Sequence, residues 1–382
     1  MKFEMFGKDF KSLIDRISVF VPKKTYVNSM ECVRISASGN TVTVQATDGD
    51  DFGTINVYAD VYEDGQTWIN LNDLKKITAI NDMVFISATP NVFEVRSGKK
   101  TYQIPCREYD EGDYVVFPKV TNNNVMAVLK DKDLLNHLSK LNCMRSENEN
   151  NKLLTVFCID LPKQKIATLD GCRIGVANLV EGQFMDNRRQ LLIRGTLYNK
   201  LKTIIKKSKN ECRISFYADA KHIMLEGDDW KYVTKVVEGV YFDYEKLIND
   251  VKTNPEYTYT FDKAELLRIA KEYAKVTKSS KRPMILYNYN GNVATSIEVD
   301  GYRTSDVVET VNPEYGMERE FYCGMDAKYV VDACNMFDGK VTSKGKYSQT
   351  VPVLMMDDTY ECLILPINTS EENARFARKQ VA

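Results

Sequence analysis

The sequence predicts an α+β fold made of three copies of one unit, and two observations carry that prediction. The first is a short pattern: Ala46-Thr47-Asp48-Gly49, then Thr168-Leu169-Asp170-Gly171-Cys172-Arg173, then Val299-Asp300-Gly301-Tyr302-Arg303. Its glycines, at 49, 171 and 301, lie about a third of the 382-residue chain apart. Each Asp-Gly closes a strand-like run: Thr41 to Val44, Lys165 to Thr168, and Asn292 to Val299. Aspartate bonds its own backbone at a turn and glycine accepts positive φ, so the pair suits a tight connection between strands.

The second observation is that the flanking text repeats as well. Before each Asp-Gly lies an amphipathic helix pattern with apolar residues on one face. The first copy has Phe6, Phe10, Leu13, Ile14 and Ile17. The second has Leu134, Leu135, Leu138 and Leu141, and the third has Phe261, Leu266, Leu267, Ile269, Ala270 and Tyr273, opened by Asp262. After each Asp-Gly comes a second helix pattern, over Leu71 to Ile80, Leu197 to Ile205, and Met325 to Phe337. Alternating strands follow at Val84 to Ile86, Arg213 to Phe216, and Val351 to Leu354. The units close at Tyr114 to Pro118, Val240 to Tyr244, and Cys362 to Pro366, which sets domains at 1–124, 125–252 and 253–367 with a tail at 368–382.

Composition narrows the function. An apolar content of 43% supports a core in each unit. No run approaches the roughly 18 consecutive apolar residues of a membrane span, and Met1-Lys2-Phe3-Glu4-Met5 has no signal-peptide hydrophobic region. The nine cysteines form no Cys-x-x-Cys pair and read as buried, reduced thiols of a cytoplasmic protein. The two histidines, His137 and His222, have no ligands at zinc spacing. No phosphate loop, nucleophile elbow or metalloprotease motif occurs. Asp48, Asp50 and Asp51 read as a solvated turn, since nothing at EF-hand spacing follows them. The expectation is a protein without catalytic residues, metal or cofactor.

Net charge is −1, but its distribution is uneven. The helix patterns carry Lys8, Lys11, Lys75 and Lys76, then Lys132, Lys140, Lys200, Lys202, Lys206 and Lys207, then Lys263, Arg268, Lys271, Lys275 and Lys278. Acids gather in strand connections, at Glu63-Asp64, Glu108 to Asp113, Asp228-Asp229 and Asp357-Asp358. A basic helical surface and an acidic loop surface would result, as would an ordinary mixed surface.

These residues are similar to a known family. Over residues 1 to about 367, the chain resembles the bacterial DNA polymerase III β subunit, the sliding clamp that confers processivity. Ala46-Thr47-Asp48 and Ala167 to Ile174 resemble the family's Ala-Thr-Asp-Gly-His-Arg-Leu, and Tyr241-Phe242-Asp243-Tyr244 its Phe-Pro-Asp-Tyr. Tyr329-Val330-Val331-Asp332 resembles its Tyr-Val-Leu-Asp helix, and Leu363-Ile364-Leu365-Pro366-Ile367 its closing Val-Met-Pro-Met. The resemblance implies three clamp-type domains of helices packed on antiparallel sheets. It also implies a homodimer, paired head to tail in a six-domain ring around double-stranded DNA. Implied partners are DNA polymerase, the clamp loader and other proteins bearing a clamp-binding motif, with no membrane and a place at the cytoplasmic replisome or nucleoid.

The resemblance further implies a partner-peptide pocket walled by Leu154, Leu169, Gly171, Cys172, Arg173, Ile174, Phe242, Lys246, Leu247, Asp326, Tyr329, Leu363, Leu365, Pro366 and Ile367. Read without it, Leu363 to Leu365 is a core strand. Lys23, Lys24, Lys75, Arg145, Lys152, Lys200, Lys202, Lys206, Lys271 and Lys275 would face DNA, held loosely enough to permit sliding. Glu147 and Glu149 make the loop from Arg145 to Lys152 less basic than its family counterpart. Leu169 and Cys172 replace a threonine and a histidine, Phe242 a proline and Asp326 an amide, while Lys281 stands where an aromatic guards the pocket. A diverged partner set follows, that of a phage-encoded or specialised replisome. The tail continues past the family's usual end, with Ser370-Glu371-Glu372 as a helix start and Arg375, Arg378 and Lys379 toward its end. Two other readings stay open: an enzyme assembled from Asp48, Asp170 and Asp300, and a monomeric adaptor or clamp mimic.

Overall fold

A computed structural model describes residues 1–78, 80, 83–108, 115–205, 212–277, 282–289, 291–316 and 318–381. Lys206, Lys207, Lys278 and Lys281, singled out above, fall outside the described residues, as do Tyr114 and most of the acidic run Glu108 to Asp113. The α-helices among the described residues are α1 Gly7–Ile17, α2 Leu71–Leu74, α3 Asp131–Leu141, α4 Thr196–Ile205, α5 Tyr244–Thr253, α6 Lys263–Val276, α7 Ala327–Met336 and α8 Glu371–Val381. None is long and apolar enough to cross a membrane. The chain forms two compact bodies, Met1–Leu135 with Glu181–Val236, and Asn136–Val180 with Val237–Ala382.

The first body is built on a nine-stranded antiparallel sheet. In spatial order its strands are Gln183–Phe184, Ala127–Lys130, Arg213–Ala218, His222–Glu226, Trp230–Lys235, Asp51–Tyr58, Thr41–Thr47, Cys32–Ser38 and Gly65–Asn70. Strands of the first and second sequence units thus join directly, Trp230 facing Ile55 and Thr234 facing Asp51. A five-stranded sheet runs Asp60–Glu63, Lys2–Phe6, Met83–Ala88, Val92–Ser97 and Lys100–Pro105. On α1 the expected stripe is buried at Phe10, Leu13, Ile14 and Ile17, whereas Phe6 is exposed. Arg16 on the same helix makes a two-pronged bond to Asp229, both N···O distances being 2.6 Å. Gly53 has a steric duty: a Cβ there would lie 2.2 Å from the Phe20 ring.

In the second body one sheet carries Val156–Asp160, Lys165–Leu169, Arg173–Asn178, Tyr360–Ile364, Val353–Met356, Lys340–Gly345, Tyr257–Asp262 and Thr310–Tyr315 in that order. A four-stranded sheet runs Tyr302–Val308, Asn292–Val299, Met284–Tyr289 and Phe321–Met325. Helices α6 and α7 lie side by side. Asp262 caps α6 as expected, accepting from the Ala264 N–H at 2.8 Å. The tail helix α8 packs on the four-stranded sheet, burying Ala374 and Ala377 against Ile285, Tyr287 and Ala294.

Local details correct the sequence reading. The second helix pattern of the first unit is one turn long, not ten residues: Asn70 caps Leu71–Leu74, and the chain then tightens into i→i−3 bonds from Lys76 to Asp73 and from Ile77 to Leu74. The three Asp-Gly turns are not one geometry either. Asp48 and Asp170 each accept two following backbone N–H groups, in four-residue loops between Thr47 and Phe52 and between Leu169 and Ile174. The third turn joins Val299 directly to Tyr302, with φ of +48° at Asp300 and +86° at Gly301, the signature of a type I′ hairpin. All nine cysteines are free, but Cys143 and Cys172 are exposed and Cys106 is half-buried; these three lie in a short 3-10 helix, a hairpin loop and an irregular segment rather than in apolar strands.

Candidate functional site

Every residue assigned to the partner pocket belongs to the second body. The hairpin around Asp170–Arg173 places Leu169 opposite Ile174, and Ile174 opposite Leu363 of the neighbouring strand. Leu365 continues that strand, its N–H donating to the Cys172 carbonyl at 2.8 Å. Leu169, Ile174 and Leu363 are buried, so the core-strand description suits Leu363. Leu365 emerges from the strand 44% exposed, beside exposed Gly171 and Cys172. The next turn of chain is pinned by the Ile367 N–H, which donates to the Gly324 carbonyl at 2.8 Å. Only glycine permits that approach, since a Cβ on residue 324 would sit 2.7 Å from the Ile367 carbonyl oxygen.

Arg173 organises this edge. Its Nε meets Asp170 at 2.8 Å and one terminal nitrogen meets Asp332 of α7 at 2.7 Å, while the other donates to the Cys143 carbonyl. Burial acts against its charge, but the Asp332 and Asp170 carboxylates outweigh that cost and raise its pKa. The guanidinium stacks on the Tyr329 ring, 4.2 Å from its centroid. Asp326 caps α7 by accepting from the Lys328 N–H at 2.8 Å, which aims the first helical turn, including Tyr329, at Arg173. Burial, then the Asp170 carboxylate and Cys172, push the Tyr329 phenol up to about 12.

A second group lies where α5 begins. Asp243 caps this helix, accepting from the Lys246 N–H at 3.2 Å. Buried Tyr241 anchors the segment through its hydroxyl, 3.5 Å from the Ala167 carbonyl on the strand that ends at Leu169. That leaves Phe242, Lys246 and Leu247 exposed. Direct contacts therefore link Leu169, Cys172, Arg173, Ile174, Tyr329, Leu363 and Leu365, and Asp326 and Ile367 fix the adjoining backbone. Leu154 and Pro366 are half-buried on their own segments. The groups that sequence reasoning missed here are Asp332 and the Cys143 carbonyl, which hold Arg173; Asp332 was in view, three residues after Tyr329, as part of the quoted motif.

Of the residues expected to face DNA, Lys23, Lys24, Lys75, Lys152, Lys202, Lys271 and Lys275 are exposed. Arg145 is half-buried and donates from Nε to Asn142 at 3.0 Å. Lys200 departs from expectation. It is 5% exposed, with its ammonium 2.5 Å from both Asp48 and Asp51. Asp51 also accepts from the Tyr232 hydroxyl and from Thr196, each at 2.9 Å. The first Asp-Gly turn is accordingly solvated only in part: Asp50 stays about half exposed, while Asp51 is buried on Lys200 and ties that lysine down. Among the described residues there is no group of three or more His, Cys, Asp or Glu able to hold a metal ion. Beside this cluster the first body has a cleft of about 660 Å³ with a mixed lining that includes Val21, Leu71, Lys23, Glu31, Lys75 and Asn199.

No protein-family model matches the chain, and no curated protein sequence does. Solved structures match closely in shape. A candidate DNA polymerase III beta subunit from Eubacterium rectale superposes with a TM-score of 0.84 at 21% identity, covering 97% of this chain and 100% of its own. The beta subunit of the Streptococcus pyogenes DNA polymerase gives 0.85 at 14% identity, with the same coverage. The DNA polymerase sliding clamp of Bacillus subtilis gives 0.84 at 16%, again over 97% and 100%. The chain has the fold of these β subunits.

Proposed function

We propose that this protein is a non-catalytic DNA sliding clamp. Two copies pair head to tail in a six-domain ring around duplex DNA, each contributing domains at 1–124, 125–252 and 253–367. The ring tethers a DNA polymerase, and a clamp loader and other motif-bearing proteins share its pocket. The observation that carries this reading is agreement of fold over 97% of the chain with proteins described as sliding clamps or polymerase β subunits. Two features support it. Seven of the lysines expected to face DNA are exposed, as loose, salt-dependent phosphate attraction requires. The edge around Arg173 combines exposed apolar atoms at Leu365 with fixed polar groups, as a short apolar peptide needs.

Light scattering with nicked-circular and linear DNA tests the proposal. The expected result is a mass near twice 43.7 kDa, with retention on circles after loading and loss from linear ends. A monomer at micromolar concentration, or equal retention on both DNAs, would instead favour an adaptor that uses the fold only as a scaffold.

A further inference from the structure

The loop after α1 has a feature that encirclement of duplex DNA does not use. Tyr26 is completely exposed, at 106% of the reference area for its residue type, and Val27 next to it is 43% exposed. Large aromatic surface in water is costly, and an aromatic held wholly in solvent beside cations is the composition of a nucleic-acid stacking platform. Lys23 and Lys24, both exposed, immediately precede it. The loop that carries the ring is built. The Val27 N–H donates to the Thr25 hydroxyl at 3.0 Å, and the Met30 N–H donates to the Val27 carbonyl at 3.0 Å, so the backbone turns around Tyr26 and leaves its side chain outside. Pro22 and Lys23 of the same loop line the cleft of about 660 Å³, together with Lys75, Asn72 and Asn199. In the second unit the corresponding loop lacks this combination: Arg145 is half-buried on Asn142, and Glu147 and Glu149 follow.

We propose that this loop and its cleft bind single-stranded DNA. Lys23 and Lys75 hold backbone phosphates at the cleft, and the Tyr26 ring stacks on an unpaired base. The bases of a duplex are already stacked on each other, so the ring selects a strand with free bases, such as occurs at a gap or a primer end. The inference rests on the reading that this chain works on DNA and adds which form of DNA the loop recognises.

The test uses the full chain and an oligodeoxythymidylate carrying one 2-aminopurine, alone and annealed, at 50 mM and 200 mM salt. The single strand is expected to bind with a change in 2-aminopurine fluorescence. Tyr26→Ala should weaken that binding about tenfold, while Tyr26→Phe keeps it within twofold. The double variant Lys23→Gln/Lys75→Gln should flatten the salt dependence by about two phosphate contacts. Because Tyr26 is fully exposed, its replacement is expected to leave the fold intact, checked by an unchanged circular dichroism spectrum. Unchanged affinity of Tyr26→Ala, equal loss in Tyr26→Phe, or the same Tyr26 dependence with the annealed duplex would each overturn the proposal. The two readings fail separately: the ring fails on mass and on retention by circular DNA, and the stacking contact fails on these variants.

Discussion

Arg173 holds two carboxylates, a carbonyl and an aromatic ring that come from its own hairpin, the Cys143 segment and α7, so its removal disturbs several elements at once. Asp332→Ala leaves a buried guanidinium with one carboxylate in place of two; the expected cost is about 3 kcal/mol, read as a lower urea midpoint. Asp219 makes a different prediction. Burial works against its charge, but backbone N–H groups of Thr121, Lys221 and His222 bond its carboxylate and lower its pKa from the ordinary 3.8 to about 2. A depressed folded-state pKa stabilises above the ordinary value and ceases to do so as pH falls through the depressed one. Asp219→Asn should therefore lower stability at neutral pH and flatten the loss between pH 4 and pH 2, as denaturation at stepped pH will show. The resemblance pointed to Arg173, but Asp332 lies 159 positions away, a separation at which no local pattern speaks. Lys200 was misread for the same reason: a lysine on a helix looks solvent-facing until Asp48 and Asp51 arrive from another unit.

Elements were legible where periodicity was strong, as in α1, or agreed with a cap, as in α6, and less so where local backbone preferences cut a helix short. The stripe from Leu71 to Ile80 promised a helix of ten residues, yet β-branched Ile77 and Thr78 follow a pair of lysines, and the helix stops after Leu74. The charges of the tail signalled α8, but its docking depends on Ala374 and Ala377, residues too small to produce a visible stripe. Truncation after Ser370 is expected to expose Ile285, Tyr287 and Ala294 and to speed amide exchange in strands Met284–Tyr289 and Asn292–Val299. Amide exchange in the first body should be unchanged. Gly53→Ala should destabilise by about 1–3 kcal/mol through overpacking against Phe20, seen as a lower melting temperature without loss of secondary structure.

At the scale of the whole molecule, the recurring Asp-Gly turns were readable because turn chemistry is local, although only the first two share a geometry. The sheet that joins sequence segments was not, because strands as far apart in sequence as Trp230–Lys235 and Asp51–Tyr58 find each other only in three dimensions. The ion clusters at the first two Asp-Gly turns add something neither level states. The fourth residue of the first turn is acidic and meets a lysine, Asp51 with Lys200; the fourth residue of the second is basic and meets an acid, Arg173 with Asp332. The two junctions are mirror images in sign, and this gives the units an order. A chimaera that transplanted the Arg173 hairpin next to α4 would bring guanidinium to ammonium, and at about 4 Å with an effective dielectric near 20 that mismatch is on the order of 4 kcal/mol. Exchanging both signs together, Asp51→Arg with Lys200→Asp, should melt higher than either exchange alone. Recombination among three look-alike segments of one gene would thus be filtered at the folding step, and charge at two turns keeps an internally duplicated protein from being shuffled.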